Sequence, residues 1–131
     1  MKEDVICAIL SGIGTGFIYL LGGWDIALYC LIVAIALDYI SGLMKAYYTK
    51  TLSSRIGFRG ILKKLGILLL VMVAVLVDKS TGESGAIRTL VIYYFVANEG
   101  LSIIENLAAA GIPIPNFLKK ALKVLKDNNN Q

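Results

Sequence analysis

Residues 65–77, LGILLLVMVAVLV, are thirteen consecutive residues without a charged side chain. A helix needs about 20 residues to cross the hydrocarbon core of a bilayer. The run reaches this length if Ile61 and Leu62 join it while Lys63 and Lys64 extend their ammonium groups to the lipid headgroups. The stretch therefore predicts a membrane-spanning helix over 61–77, ended by Asp78.

Composition places the rest of the chain in a membrane as well. Hydrophobic residues make up 57% of the 131 residues, charged residues only 17%, and the mean hydropathy is +0.75. A soluble domain would carry about 25% charged residues. We therefore predict a single membrane domain over 1–131. The short polar segments contain no histidine, so we expect no enzymatic activity, no metal site and no cofactor.

Three other stretches are apolar enough to cross the membrane, namely 5–21, 26–44 and 87–110. A cleavable signal peptide is the alternative for the first of them, but Glu3 and Asp4 do not suit the positive segment with which such peptides begin. The sequence thus predicts an all-α integral membrane protein with about four transmembrane helices.

The positive charges indicate the orientation, because they remain on the cytoplasmic side of short loops. With four spans and both termini cytoplasmic, eleven lysines and arginines lie inside and only Lys79 and Arg88 outside. If 87–110 did not cross, seven lysines and arginines would lie inside and six outside. This bias favours four crossings over three.

The fourth span carries polar residues that lipid rejects. Residues 98–106 read NEGLSIIEN, and positions three, four and seven apart share a helix face. Five side chains therefore form one polar stripe: Asn98, Glu99, Ser102, Glu105 and Asn106. A charged side chain at the bilayer centre costs about 2.5 to 3.5 kcal/mol, so we expect that one chain alone cannot comfortably hide this stripe.

Three arrangements would satisfy the polar stripe. The segment could lie at the inner headgroups with both glutamates paired to loop lysines. Several copies could join these faces, lining a wet interior or hydrogen-bonding across a helix seam. One carboxylate could instead couple proton transport. Two glutamates and two asparagines spread over about two helical turns favour the wetted or self-associating face.

Helix packing is indicated by two further features. Gly12 and Gly16 form a GxxxG pattern within SGIGTG, which allows close approach of helices in lipid. Asp38 interrupts the second span, and we predict an interhelix ion pair with Lys63 or Lys64, or with Arg59.

Basic residues concentrate in two segments on the predicted inner side. We predict a cytoplasmic loop over 45–64 that lies on the membrane and an amphipathic surface helix over 115–127. The expected partner of both is anionic lipid of the inner leaflet rather than nucleic acid. The residues expected to contact this lipid are Lys45, Lys50, Arg55, Arg59, Lys119, Lys120, Lys123 and Lys126.

A family resemblance rests on the order of these motifs along nearly the whole chain. Asp38 is followed one turn later by Gly42, then by SSRIGFRGILKK at 53–64, an apolar span, and NEGLSIIENLAAAGIPIP at 98–115. This order resembles the toxin-secretion and phage-lysis holin family of Gram-positive bacteria, their phages and clostridial toxin loci.

The resemblance implies a small protein of the bacterial cytoplasmic membrane that accumulates harmlessly, then forms homo-oligomers and permeabilises the membrane. Its functional partner would be a cell-wall hydrolase or a toxin that leaves the cell as cargo. Two alternatives stay open. One is a selective ion channel or proton-coupled transporter that uses Glu99 or Glu105, and the other is an antiholin-like partner that never opens.

Overall fold

The computed structural model describes residues 1–129 and folds them into α-helices. These are α1 (Lys2–Leu20), α2 (Ile26–Tyr48), α3 (Ser54–Thr81), α4 (Ala86–Ala109) and α5 (Asn116–Asn129). Helices α1 to α4 are each long and apolar enough to cross a membrane, and residues 1–129 contain no β-strand. The prediction of an all-α protein with four membrane-length helices is confirmed, and α5 forms in the amphipathic tail.

Polar and glycine residues determine where the helices begin and end. The Asp25 carboxylate accepts a hydrogen bond from the Leu28 N–H at 2.9 Å, and the Ser53 hydroxyl accepts one from the Ile56 N–H at 3.2 Å. These are N-caps that satisfy backbone donors in the first turn. Helix α3 ends at Gly82 with φ 72°, a left-handed conformation that glycine adopts without a Cβ clash.

Helices α2, α3 and α4 form a three-helix unit. Asp25 contacts Arg88 at the start of α4, and Asp38 contacts Asn106 further along both helices, so α2 and α4 run in the same direction and α3 runs opposite. The buried apolar core of this unit consists of Leu21, Ala27, Leu28, Leu31, Ile67, Val71 and Ile92. The exposed apolar side chains around it suit contact with lipid.

Helix α1 stands apart from the three-helix unit. None of its residues, all of which the structure describes, is buried. The chain leaves α1 through Leu21, which enters the core, and turns at Gly22 and Gly23 with φ 91° and 95°. Near the end of α1, the Lys79 ammonium lies 4.4 Å from the centre of the Tyr19 ring. Helix α1 is therefore connected to the unit mainly at one end.

The prediction of a basic loop over 45–64 is wrong for most of its length. Helix α2 continues to Tyr48 and α3 begins at Ser54, so only 49–53 connects them. The Ser53 cap starts α3 early, and lysine and arginine are good helix formers, so the helix continues through the basic residues into the apolar run. The side chains of four predicted lipid contacts are exposed at this end of the unit: Lys45, Lys50, Arg55 and Arg59.

Candidate functional site

The structure divides the predicted polar stripe of α4 between two surroundings. Glu99 is buried inside the three-helix unit with 1% of its surface exposed. Ser102 and Asn106 are partly buried and line a cavity beside it. Glu105 is exposed, and Asn98 is partly exposed. The expectation that one chain cannot hide this stripe is therefore wrong for Glu99, because a neighbouring helix supplies its counter-charge.

That counter-charge is Lys64 of α3. Its Nζ donates to Glu99 Oε2 and to Asp38 Oδ2, and so joins α4 and α2 through one ammonium group. The side chains of Lys64, Asp38 and Glu99 are 12%, 10% and 2% exposed. We call these three residues the ion cluster. Of the lysines predicted as partners of Asp38, the structure brings Lys64 to it, whereas Lys63 is exposed on the same helix.

Amide and hydroxyl groups complete the surroundings of Asp38. The Asn106 Nδ2 donates to Asp38 Oδ1 at 3.0 Å and to the Ser41 Oγ at 3.1 Å, while the Ser41 Oγ donates to the Asp38 carbonyl oxygen at 3.1 Å. A Cβ on Gly42 would lie 3.6 Å from the Asn106 Nδ2. The motif residues Asp38 and Gly42 of α2 are thus brought together with Asn106 of α4, which is distant in the sequence.

A cavity of about 150 Å³ lies beside the ion cluster. Lys63, Lys64, Asp38, Ser102 and Asn106 supply its polar lining. Its other lining residues are Tyr39, Gly42, Leu43, Ile56, Gly57 and Gly60. A cavity of this volume with several polar partners has room for water molecules, each of which occupies about 30 Å³ in the liquid.

A second polar group holds the other end of the unit together. Arg88 is 7% exposed, and its guanidinium donates to the Leu21 carbonyl oxygen at 2.6 Å, the Gly23 carbonyl oxygen at 2.9 Å and Asp25 Oδ2 at 2.7 Å. The hydrogen bond from Arg88 lowers the pKa of the Asp25 carboxyl, which lies just outside α2. The turn between α1 and α2 is thereby attached to α4.

Asp78 of α3 also holds the start of α4, through the backbone N–H groups of Ile87 and Arg88 at 3.0 and 2.8 Å. Neither contact was predicted from the sequence, because Asp78 was used only as the end of the third span and Arg88 only as a positive charge on the outer side. The sequence did carry a signal for these contacts. Asp25 lies directly before an apolar span and Asp78 directly after one.

The remaining predicted site residues are not brought to the ion cluster. A Cβ added to Gly12 or Gly16 would meet no atom within 4 Å, so their side of α1 is open. Lys119, Lys120 and Lys123 are exposed on α5, while Lys126 lies outside the side chains that the structure describes. Among the described residues, no group of three or more His, Cys, Asp or Glu could hold a metal ion.

Comparison with known proteins assigns most of the chain to a family. The family model described as bacteriophage holin family matches residues 15–127. An uncharacterized protein of Clostridium perfringens is 46% identical over 99% of this chain and 98% of its own length. An uncharacterized protein of Listeria innocua is 41% identical over 93% of this chain and 87% of its own length. A probable holin of Bacillus phage phi105 is 36% identical over 77% of this chain and 75% of its own. No solved structure matches the chain.

Proposed function

We propose that this chain, which belongs to the bacteriophage holin family, accumulates in the bacterial cytoplasmic membrane in a closed form and then forms homo-oligomers that permeabilise it. A holin-type role is supported by the match over 15–127 and by the phage relative named a probable holin. The cargo released is a cell-wall hydrolase or a toxin, and the chain itself performs no catalysis.

The burial of Glu99 within a single chain is the observation that carries the proposal. A membrane helix with an unpaired carboxylate is costly to insert, but Lys64 neutralises this one in the closed form. The protein is thus able to accumulate without exposing Glu99 to lipid.

The same contacts leave a route to an open form. Desolvation of buried ion pairs largely offsets their attraction, so transfer of the ion cluster to a water-filled interior costs little. Rotation or separation of α4 from α2 and α3 would bring Glu99, Ser102 and Asn106 onto the surface that already carries Glu105. Copies that associate through such faces line an aqueous path.

The two basic segments give the proposed orientation. The ends of α2 and α3 near 45–59 and helix α5 would lie on the cytoplasmic side, with both termini inside. Exposed lysines and arginines at this end suit contact with anionic headgroups. Each adds about 1 kcal/mol of attraction to an anionic membrane surface.

The experiment that tests the proposal uses bacteria that express the protein from an inducible promoter, with and without a cytosolic wall hydrolase that lacks an export signal. Membrane potential and release of a cytosolic enzyme are followed together. We expect abrupt loss of potential after a delay, and lysis only when both proteins are present. A Glu99→Leu and Glu105→Leu double variant at equal protein level should insert but lose or mistime this event.

Other outcomes would favour the alternatives. Loss of potential without release of the hydrolase would indicate a selective ion channel or transporter, for which the charged ion cluster inside the bundle is the supporting observation. An intact potential and continued growth would indicate an antiholin-like partner. Unchanged lysis timing in the double variant would contradict a functional role of the polar stripe.

A further inference from the structure

The ion cluster has an unbalanced charge. Asp38 and Glu99 would each carry a negative charge when ionised, and Lys64 supplies one positive charge to both. Among the side chains that the structure describes, no other cation lies within 4.0 Å of either carboxylate. With all three groups ionised, the interior of the unit would hold a net charge of −1.

The charged and titratable groups near the ion cluster come from three helices. Helix α2 contributes Asp38 and the cavity-lining Tyr39, α3 contributes Lys64 and Lys63, and α4 contributes Glu99. Lys63 is exposed and lines the cavity, but among the described residues it forms no ion pair within 4.0 Å with Asp38 or Glu99. It therefore lies at the cavity rim and does not supply the missing charge.

The two carboxylates lie close together, because one oxygen of each accepts a hydrogen bond from the same Lys64 Nζ. Two carboxylates that share a site repel each other when both are ionised, so one of them tends to keep its proton. Lys64 offsets only one of the two negative charges. A net buried charge costs several kcal/mol in a low-dielectric interior. A proton is the smallest ligand that removes this charge without displacing the packed helices.

We propose that Asp38 and Glu99 hold one proton between them at neutral pH, which makes the ion cluster a neutral proton-binding site inside the bundle. Exchange of this proton is possible through the adjacent cavity of about 150 Å³, where Lys63 and the partly exposed Gly57 and Gly60 form the rim. The ligand is thus a proton delivered by water from the side of the membrane on which α3 begins.

The consequence for permeabilisation rests on the proposed function. Loss of the proton leaves two repelling carboxylates between α2 and α4, so the closed form is destabilised. The folded form holds this proton at neutral pH, whereas the unfolded chain does not. The free energy of unfolding therefore falls as pH rises. Rising pH on the cavity side would therefore favour release of α4.

The test is infrared spectroscopy of the full chain reconstituted in lipid vesicles, which detects the C=O stretch of a protonated carboxyl group. At neutral pH we expect this band in the wild type and its disappearance as pH is raised. It should be absent from Glu99→Gln and from Asp38→Asn, because each variant balances Lys64 with a single carboxylate. Glu105→Gln, a matched change at the exposed carboxylate of the same helix, should retain the band.

Absence of the band in the wild type at neutral pH, or its persistence in both Glu99→Gln and Asp38→Asn, would overturn the proton site. Release of a dye from the same vesicles is measured in parallel. A band without dye release would support the proton site and contradict the permeabilising function. Dye release without a band would support the permeabilising function and contradict the proton site.

Discussion

At the scale of single residues, Lys64 and Arg88, both largely buried, hold α2, α3 and α4 together. Lys64 joins α3 to carboxylates of α2 and α4, and Arg88 joins α4 to the turn that precedes α2. Each cation pairs with acids that the helices would otherwise carry into lipid without a counter-charge. The stability of the fold therefore depends on these residues more than on the many exposed charges, since exposed ion pairs contribute about 0 to 1 kcal/mol.

Replacement of Lys64 tests the first of these contacts. Lys64→Met leaves Asp38 and Glu99 buried without a cation, so we expect the free energy of unfolding to fall by about 3 to 5 kcal/mol. Lys63→Met makes the same change at the adjacent exposed position and should have little effect. Unfolding in detergent micelles, followed by circular dichroism, measures both variants, and equal stability of the two would contradict the central position of Lys64.

Acidification tests the Arg88 contact. The hydrogen bond from Arg88 lowers the pKa of Asp25 below its ordinary value of 3.8, so this contact stabilises the fold above that pH and is lost as pH falls through the lower folded value. The effect should be small because Asp25 is partly exposed. Fluorescence of Trp24, the neighbouring residue and the one tryptophan of the chain, should report the transition, and Asp25→Asn should abolish it.

At the scale of helices, the chain consists of a packed unit of α2, α3 and α4 with two attached helices. Helix α1 presents its glycines without a neighbour inside the chain, and α5 presents exposed lysines. Helix α1 is open on its glycine side and α5 is amphipathic, and both make few contacts with the rest of the chain. Their expected partners, a second copy for α1 and anionic lipid for α5, lie outside the chain.

Larger side chains at the glycine positions of α1 test whether this side of the helix contacts a second copy. A Cβ at Gly12 or Gly16 meets no atom within 4 Å, so Gly12→Leu with Gly16→Leu should leave the chain folded and reduce association of copies, because close helix approach is lost. Cross-linking in membranes measures the association. Gly14→Leu, which is equally open but lies on another side of α1, is the control, and an equal loss in both variants would argue against a specific glycine interface.

The lysines of α5 are tested by removing their charge. Substitution of all four by glutamine removes about 1 kcal/mol of attraction per lysine to an anionic surface, so the tail should leave the surface and be cleaved faster by a protease. The full chain in vesicles with anionic lipid is compared with the chain in neutral vesicles, where the substitutions should change nothing. The substituted residues are Lys119, Lys120, Lys123 and Lys126.

At the scale of the whole molecule, the polar contacts between helices lie inside beside an apolar core, and further apolar side chains face outward, as suits a helix bundle in lipid. The ion cluster and the Arg88 contacts hold the unit at two different depths, and positive charges concentrate at the end that carries α5. This arrangement suits a multi-pass membrane protein of the holin family and supports the closed form proposed for it.

The proposed orientation is tested by labelling cells from outside with a membrane-impermeant maleimide. In a chain in which Cys7 and Cys30 are replaced by serine, Ser84→Cys should react because it lies in the short turn between α3 and α4. Thr51→Cys, in the connection between α2 and α3, should react only after the membrane is opened. The reverse pattern would place the termini outside.

The sequence by itself determined the properties that depend on local composition. Apolar runs of spanning length predicted the four membrane-length helices, and the periodic tail after Pro113 and Pro115 predicted α5. The motifs from Asp38 to Pro115 resembled the holin family, which the family comparison confirmed. Hydropathy and periodicity are carried by neighbouring residues, so they can be recognised without knowledge of the packing.

Only the tertiary structure decided which side chains meet. The sequence predicted an ion pair for Asp38 but left Lys63, Lys64 and Arg59 open, and it treated the polar stripe of α4 as one face. The structure turns Glu99 inward to Lys64, leaves Glu105 exposed, and brings Asp25 to Arg88. The physical reason is that adjacent residues of a helix point about 100° apart. The rotation and axial position of each helix therefore decide which charges pair, and packing against the other helices determines both.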